Sequence, residues 1–96
     1  MLFAAMCHDK PDHLALRLAT RDAHVAWLKS LGATVRIAGP FLDDTAEIMQ
    51  GSIVVIEAES LDAAKATFAA DPYAAAGLFE TVEIRPWRWV VGAPTA

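Results

Sequence analysis

Between residues 12 and 31 the apolar side chains recur at helical spacing, and Gly32 follows as a stop. At about 100° per residue, Leu14, Leu18, Val25, Leu28 and Leu31 share one arc. His24 falls between Leu28 and Leu31 on that arc, and Arg17 and Arg21 fall on it too. A chain of 96 residues has one small core, and a buried guanidinium is costly there unless it is paired or faces a cavity. Two resolutions are open. The helix breaks near Thr20, a good N-cap with Asp22 in the turn that follows, or the arginines line a polar pocket. The two are compatible. The cap signal predicts a short helix over about 12–18 and a longer one over about 21–31.

The rest of the chain fits around that segment. Residues 2–8 are a short apolar run, read as a first strand rather than a signal peptide because no basic leader precedes it. Residues 33–38 alternate, with Val35 and Ile37 on one face, and Gly39-Pro40 reads as the strand's end. Asp43, Asp44 and Glu47 mark a solvated loop. Residues 52–57 form a β-branched strand. Residues 60–70 read as a helix capped by Ser60, and Asp71-Pro72 as a fresh cap and first helical position before Tyr73. Residues 78–84 alternate again. Trp87 and Trp89 lie on the opposite parity from Val82 and Ile84, so a bulge or kink is expected at Pro86. The order is β-α-β-β-α-β, which predicts an α+β fold: a four-stranded antiparallel sheet with its helices on one face. One domain is expected over 1–91, with a loose tail at 92–96. The uncovered sheet face would carry tryptophan, which points to a homodimer.

Composition narrows the partners. Hydrophobic residues make up 55% and charged residues 21%, which excludes a disordered chain. A net charge of −4 without any Lys/Arg cluster argues against nucleic acid. No apolar run approaches the roughly 18 residues of a membrane span. The single cysteine suits a reducing compartment, so a cytoplasmic location is expected.

The candidate chemistry centres on His24 and Asp71. His24 is either a boundary histidine bonded to backbone or a general acid–base, since imidazole titrates near neutral pH. Asp71 is explained by capping alone, or it holds the His24 ring as the carboxylate of a His–Asp dyad. Arg17, Arg21, Ser52 and Tyr73 are candidate substrate-binding residues, with Gly39 and Pro40 where backbone approaches a ligand. Turn chemistry and packing are the alternatives at these last positions. Cys7 in an apolar run reads as a small buried hydrophobe, the alternative being the nucleophile of a Cys-His-Asp set with His24 and Asp71. His8 and His13 read as solvated. Adjacent residues in a strand point to opposite faces, so Cys7-His8-Asp9 is a poor metal motif. No phosphate loop, Cys-x-x-Cys or serine elbow is present, and neither cofactor nor metal is expected.

The chain resembles the YCII-related domain (YciI-like) family along nearly its whole length. The resemblance rests on Asp9-Lys10-Pro11-Asp12, Arg17-Leu18-Ala19-Thr20-Arg21-Asp22-Ala23-His24, Gly39-Pro40-Phe41-Leu42, Gly51-Ser52, Asp71-Pro72-Tyr73-Ala74, Gly77-Leu78-Phe79 and Glu83-Ile84-Arg85-Pro86-Trp87. Asp22 stands where many relatives carry proline, and either residue suits a first helical turn. The resemblance implies a ferredoxin-like fold that dimerises into an α/β barrel, and an active site on a His and an Asp, here His24 and Asp71. Function within the family is mostly unassigned. The polar set on the apolar arc itself points to a small cofactor-free enzyme of lyase, isomerase or hydrolase type, acting on a small anionic or aromatic metabolite. The competing readings are a non-catalytic dimeric module that holds a small ligand, and a structural dimer whose polar groups are only caps and ion pairs.

Overall fold

The computed structural model describes residues 1–94. Strand β1 spans Leu2–Asp9 and helix α1 Leu14–Leu31, followed by a 3-10 turn at Gly32–Thr34. Strands β2 (Val35–Leu42) and β3 (Met49–Glu57) form a hairpin, then come α2 (Leu61–Ala69), the single turn α3 (Pro72–Ala75) and β4 (Phe79–Trp87). The sheet order is β2-β3-β1-β4 and every pairing is antiparallel. This is the ferredoxin-like α+β fold that the element order predicts. The last two residues of the expected tail, 95–96, lie outside the described residues.

Alternation in β1 sets which side is which. Phe3, Ala5 and Cys7 point into a core completed by Val54 and Ile56 of β3 and Ala64 and Phe68 of α2. Burying side chains such as Phe3, Ile56 and Phe68 contributes about 1.5–3 kcal/mol each. The other face carries Met6 opposite Ile53, and Leu2 opposite Trp87. Met6, Ile37, Ile53 and Trp87 are all exposed there.

Three expectations are corrected. The break near Thr20 is absent: α1 is one helix of 18 residues. The cap signal at Thr20 and Asp22 loses to tertiary pairing, because Arg17 finds its partners without any bend. The arc is also rotated from the predicted one. The two fully buried residues of α1 are Arg17 and His24, seven positions and so two turns apart. Leu18 sits about 100° round from Arg17 and is 54% exposed. Second, Gly39-Pro40 does not end a strand. β2 continues through both to Leu42, which an edge strand tolerates. Third, Pro86 pairs with Phe3 in regular register, and the β1–β4 irregularity lies between His8 and Asp9. Trp87 does face away from Val82 and Ile84, as parity predicts.

Candidate active site

α3 exists because Asp71 starts it. The Asp71 carboxylate accepts the Tyr73 N–H through Oδ1 at 2.9 Å, and Pro72 follows at a position where its missing N–H costs nothing. The capping carboxylate is buried beneath α1. There His24 Nδ1 lies 2.8 Å from the same Oδ1. Capping and holding the histidine are thus done by one oxygen. The Tyr73 ring stacks on His24, with centroids 4.0 Å apart and planes 18° from parallel. Ring and carboxylate together fix the imidazole.

Arg17 lies on the other side of Tyr73, its Cζ 4.5 Å from the ring centroid. Arg17 Nε donates to Asp9 Oδ2 at 2.6 Å, and Nη2 donates to Asp9 Oδ1 and Ser52 Oγ, both at 2.9 Å. The Arg17 and Asp9 side chains are 2% and 6% exposed, so the pair is sealed and two-pronged. Burial works against the charge on Arg17, but the hydrogen bond and charge of Asp9 hold its pKa above the ordinary arginine value. Burial pushes the Tyr73 hydroxyl up as well, with Arg17 pulling the other way. Ser52, at the register position opposite Cys7, accepts from Arg17 and keeps its own proton to donate.

Seven of the eight predicted site residues line one cavity of about 210 Å³: Arg17, Arg21, His24, Gly39, Pro40, Ser52 and Tyr73. Asp71, the eighth, stands behind His24. Val25, Leu28, Ala38 and Met49 complete the wall and make it mainly apolar. No sealed side-chain nitrogen or oxygen among the described residues lacks a partner. His24 Nε2 has none there, so it reaches open space, and the cavity is the space His24 lines. Arg21 is exposed at the rim and forms no ion pair among the described residues.

The sequence reading missed Asp9. An arginine expected on a buried arc demands a carboxylate, and that demand was the available signal, but it does not say which one. Cys7 is sealed in the core and burial pushes its thiol up to about 12, which leaves no thiolate near neutrality. His8 is exposed and packs on Phe41, with centroids 5.0 Å apart. His13 is half-buried, with Nδ1 2.7 Å from the Pro11 carbonyl oxygen. Among the described residues no three or more of His, Cys, Asp and Glu are gathered as a metal site, and no helix is long and apolar enough to cross a membrane.

A fold of this kind with a buried His–Asp contact beside a small cavity defines a class rather than a reaction. Comparison with known proteins supplies the family. Residues 1–88 match the YCII-related domain, and the chain belongs to that family. It is 42% identical to Protein YciI of Escherichia coli over 97 aligned positions, covering 94% of this chain and 99% of the relative. It is 38% identical to an uncharacterised Haemophilus influenzae protein over the same share of each. Among solved structures it resembles the 5-chloro-2-hydroxyhydroquinone dehydrochlorinase TftG of Burkholderia phenoliruptrix, in complex with 2,5-dihydroxybenzoquinone. The TM-score is 0.83 at 33% identity, covering 92% of this chain and 94% of that one. An antibiotic biosynthesis monooxygenase shares only the fold, with a TM-score of 0.53 at 14% identity, 92% of this chain and 99% of the other being covered.

Proposed function

We propose that the protein is a small enzyme that moves a proton on a single-ring, hydroxylated substrate held in the His24 cavity. The observation that carries this reading is the contact of His24 Nδ1 with Asp71 at 2.8 Å on the wall of the cavity, which leaves Nε2 without a protein partner. Asp71 holds the tautomer with the proton on Nδ1, which leaves Nε2 a base. Nε2 takes a proton from the substrate, and the imidazolium formed is stabilised by the carboxylate. The Ser52 hydroxyl donates to the oxygen on which negative charge develops, and Arg21 offers its charge at the rim. Arg17 is already neutralised by Asp9 and acts as the frame that holds Ser52 and Tyr73. An apolar cavity of about 150 Å³ is enough for benzene, so 210 Å³ suits one substituted ring. The dehydrochlorinase relative favours elimination over hydrolysis or isomerisation, and the 2,5-dihydroxybenzoquinone in its complex is one hydroxylated ring.

The test is a panel of chlorinated and unchlorinated hydroxylated single-ring compounds, followed by ring absorbance and chloride release. Turnover that disappears in His24→Ala is the expected result. Tight binding without turnover, unchanged in His24→Ala, would replace this reading with that of a non-catalytic ligand-binding module.

The uncovered sheet face supports a homodimer. Met6, Ile37, Ile53 and Trp87 expose apolar surface on the side away from both helices, and a second copy packing face to face would bury it.

A further inference from the structure

Asp71 also borders a second cavity, on the side of the fold away from Arg17. This space, about 240 Å³, lies between α2, α3 and the sheet and is walled mainly by Val54, Phe68, Phe79 and Ile84. Lys65, Ala69 and Val82 also line it, and all three are exposed, so the cavity opens to solvent along α2 and β4. Its charged groups are Lys65 and Asp71.

The hydrogen bonds of Asp71 leave Oδ2 as the side-chain oxygen free to meet this space. Oδ1 serves both Tyr73 and His24, while Oδ2 accepts no hydrogen bond from the described residues. No sealed side-chain oxygen among them is without a partner, so Oδ2 must touch open space. Asp71 does not line the His24 cavity but does line this one. A carboxylate oxygen without a protein donor thus stands at the end of a chamber whose walls are mainly apolar and whose other charged group, Lys65, lies at its exposed edge. A water there would satisfy the oxygen and leave the apolar walls unfilled.

We propose that this cavity is a second ligand site, for a neutral single-ring molecule that carries one hydroxyl. The hydroxyl donates to Asp71 Oδ2, and the ring packs between Phe68, Phe79 and Ile84. Neutrality follows from the walls, because a charged ligand would give up its hydration against apolar carbon. A hydroxyl donor meets a carboxylate in one of the stronger hydrogen bonds available. The volume admits one ring, by the same comparison as for the first cavity. The site stands whether or not His24 is catalytic. Because both sites share Asp71, occupancy here is felt at the His24 ring.

Phenol is the probe, with toluene as its isostere lacking the hydroxyl, titrated into the full-length protein and followed by methyl and histidine-ring NMR. Phenol is expected to shift Val54, Val82 and Ile84 methyls saturably and to move the His24 ring signals with the same midpoint. Toluene is expected to bind about tenfold more weakly, the loss of one hydrogen bond to a charged acceptor. Val82→Trp, at the mouth, should remove the shifts at Val54 and Ile84. Ala69→Trp blocks the mouth from α2 and serves should the first variant not fold, with amide spectra checking each. Phenol shifts confined to Val25 and Leu28 would place it in the first cavity and overturn the proposal. Equal binding of toluene and phenol, or shifts at Val54 and Ile84 that survive a folded blocking variant, would overturn it as well. Turnover in the His24→Ala test bears only on the first site, so the two readings fail separately.

Discussion

One oxygen of Asp71 both starts α3 at Tyr73 and holds His24 Nδ1, at 2.9 and 2.8 Å. Local folding and the orientation of the imidazole therefore depend on the same atom. They can still be separated, because serine caps a helix but cannot hold the ring as a carboxylate does. Asp71→Ser should be more stable than Asp71→Ala by about 0.5–2 kcal/mol, the worth of a retained cap. It should also release the tautomer, so that histidine-ring 15N NMR at alkaline pH shows the proton shared between the two nitrogens where the parent shows it on Nδ1. Turnover of any substrate found should fall by about 10²–10⁴-fold. A parent-like tautomer in Asp71→Ser would show that Asp71 does not orient His24.

Asp9 and Arg17 form a sealed pair, and removing one partner leaves the other charge stranded. Asp9→Asn should cost about 3–5 kcal/mol in urea unfolding. Combining Asp9→Leu with Arg17→Met should recover much of that loss, since an apolar pair of similar volume avoids the desolvation. A cost below about 1 kcal/mol for Asp9→Asn, in the range of surface ion pairs, would mean that the pair is not sealed in solution.

Cys7 makes stability fall at alkaline pH. Its thiol ordinarily ionises near 9.0, and burial raises that to about 12 in the folded chain. Between those values the unfolded chain releases a proton that the folded chain keeps. The contribution of Cys7 is therefore whole below pH 9 and is lost as pH climbs towards 12, at up to about 1.4 kcal/mol per pH unit. Other groups titrate in this window, so the measurement is the difference in slope between the parent and Cys7→Ala. Identical slopes would show that the thiol ionises freely in the folded protein.

The homodimer reading places Ile53 in a self-complementary contact. Ile53→Glu on β3 would set like charges against each other across a two-fold axis. Sedimentation should give a dimer for the parent and a monomer for the variant at micromolar concentration. A monomeric parent would remove the dimer, and with it the reason for the apolar sheet face.

Much of the candidate site's geometry was legible because its members stand out against their surroundings. His24 and Arg17 are polar residues on an apolar arc, and Asp71-Pro72 announces a helix start. The unread parts depend on contacts distant in sequence. Asp9 sits in an Asp-Lys-Pro-Asp stretch that reads as a turn, and nothing local distinguishes it from the other carboxylates as the partner of Arg17. That requires knowing that β1 ends beneath the first turns of α1. The false break at Thr20 has the same origin, since a real local cap preference was outweighed by a salt bridge that the sequence does not display. Gly39-Pro40 misled in the opposite direction. A proline stops a central strand but not an edge strand, and which strands are edges is a property of the whole sheet.

Those edges carry a further meaning. Pro40 lies within β2 and Pro86 within β4, the two outermost strands. At each, one backbone donor that an incoming strand would need is missing. The sheet is thus interrupted at both margins as a template for adding strands from other molecules. Such margins work against sideways growth into fibrils and leave the open face as the surface on which the proposed dimer would stack.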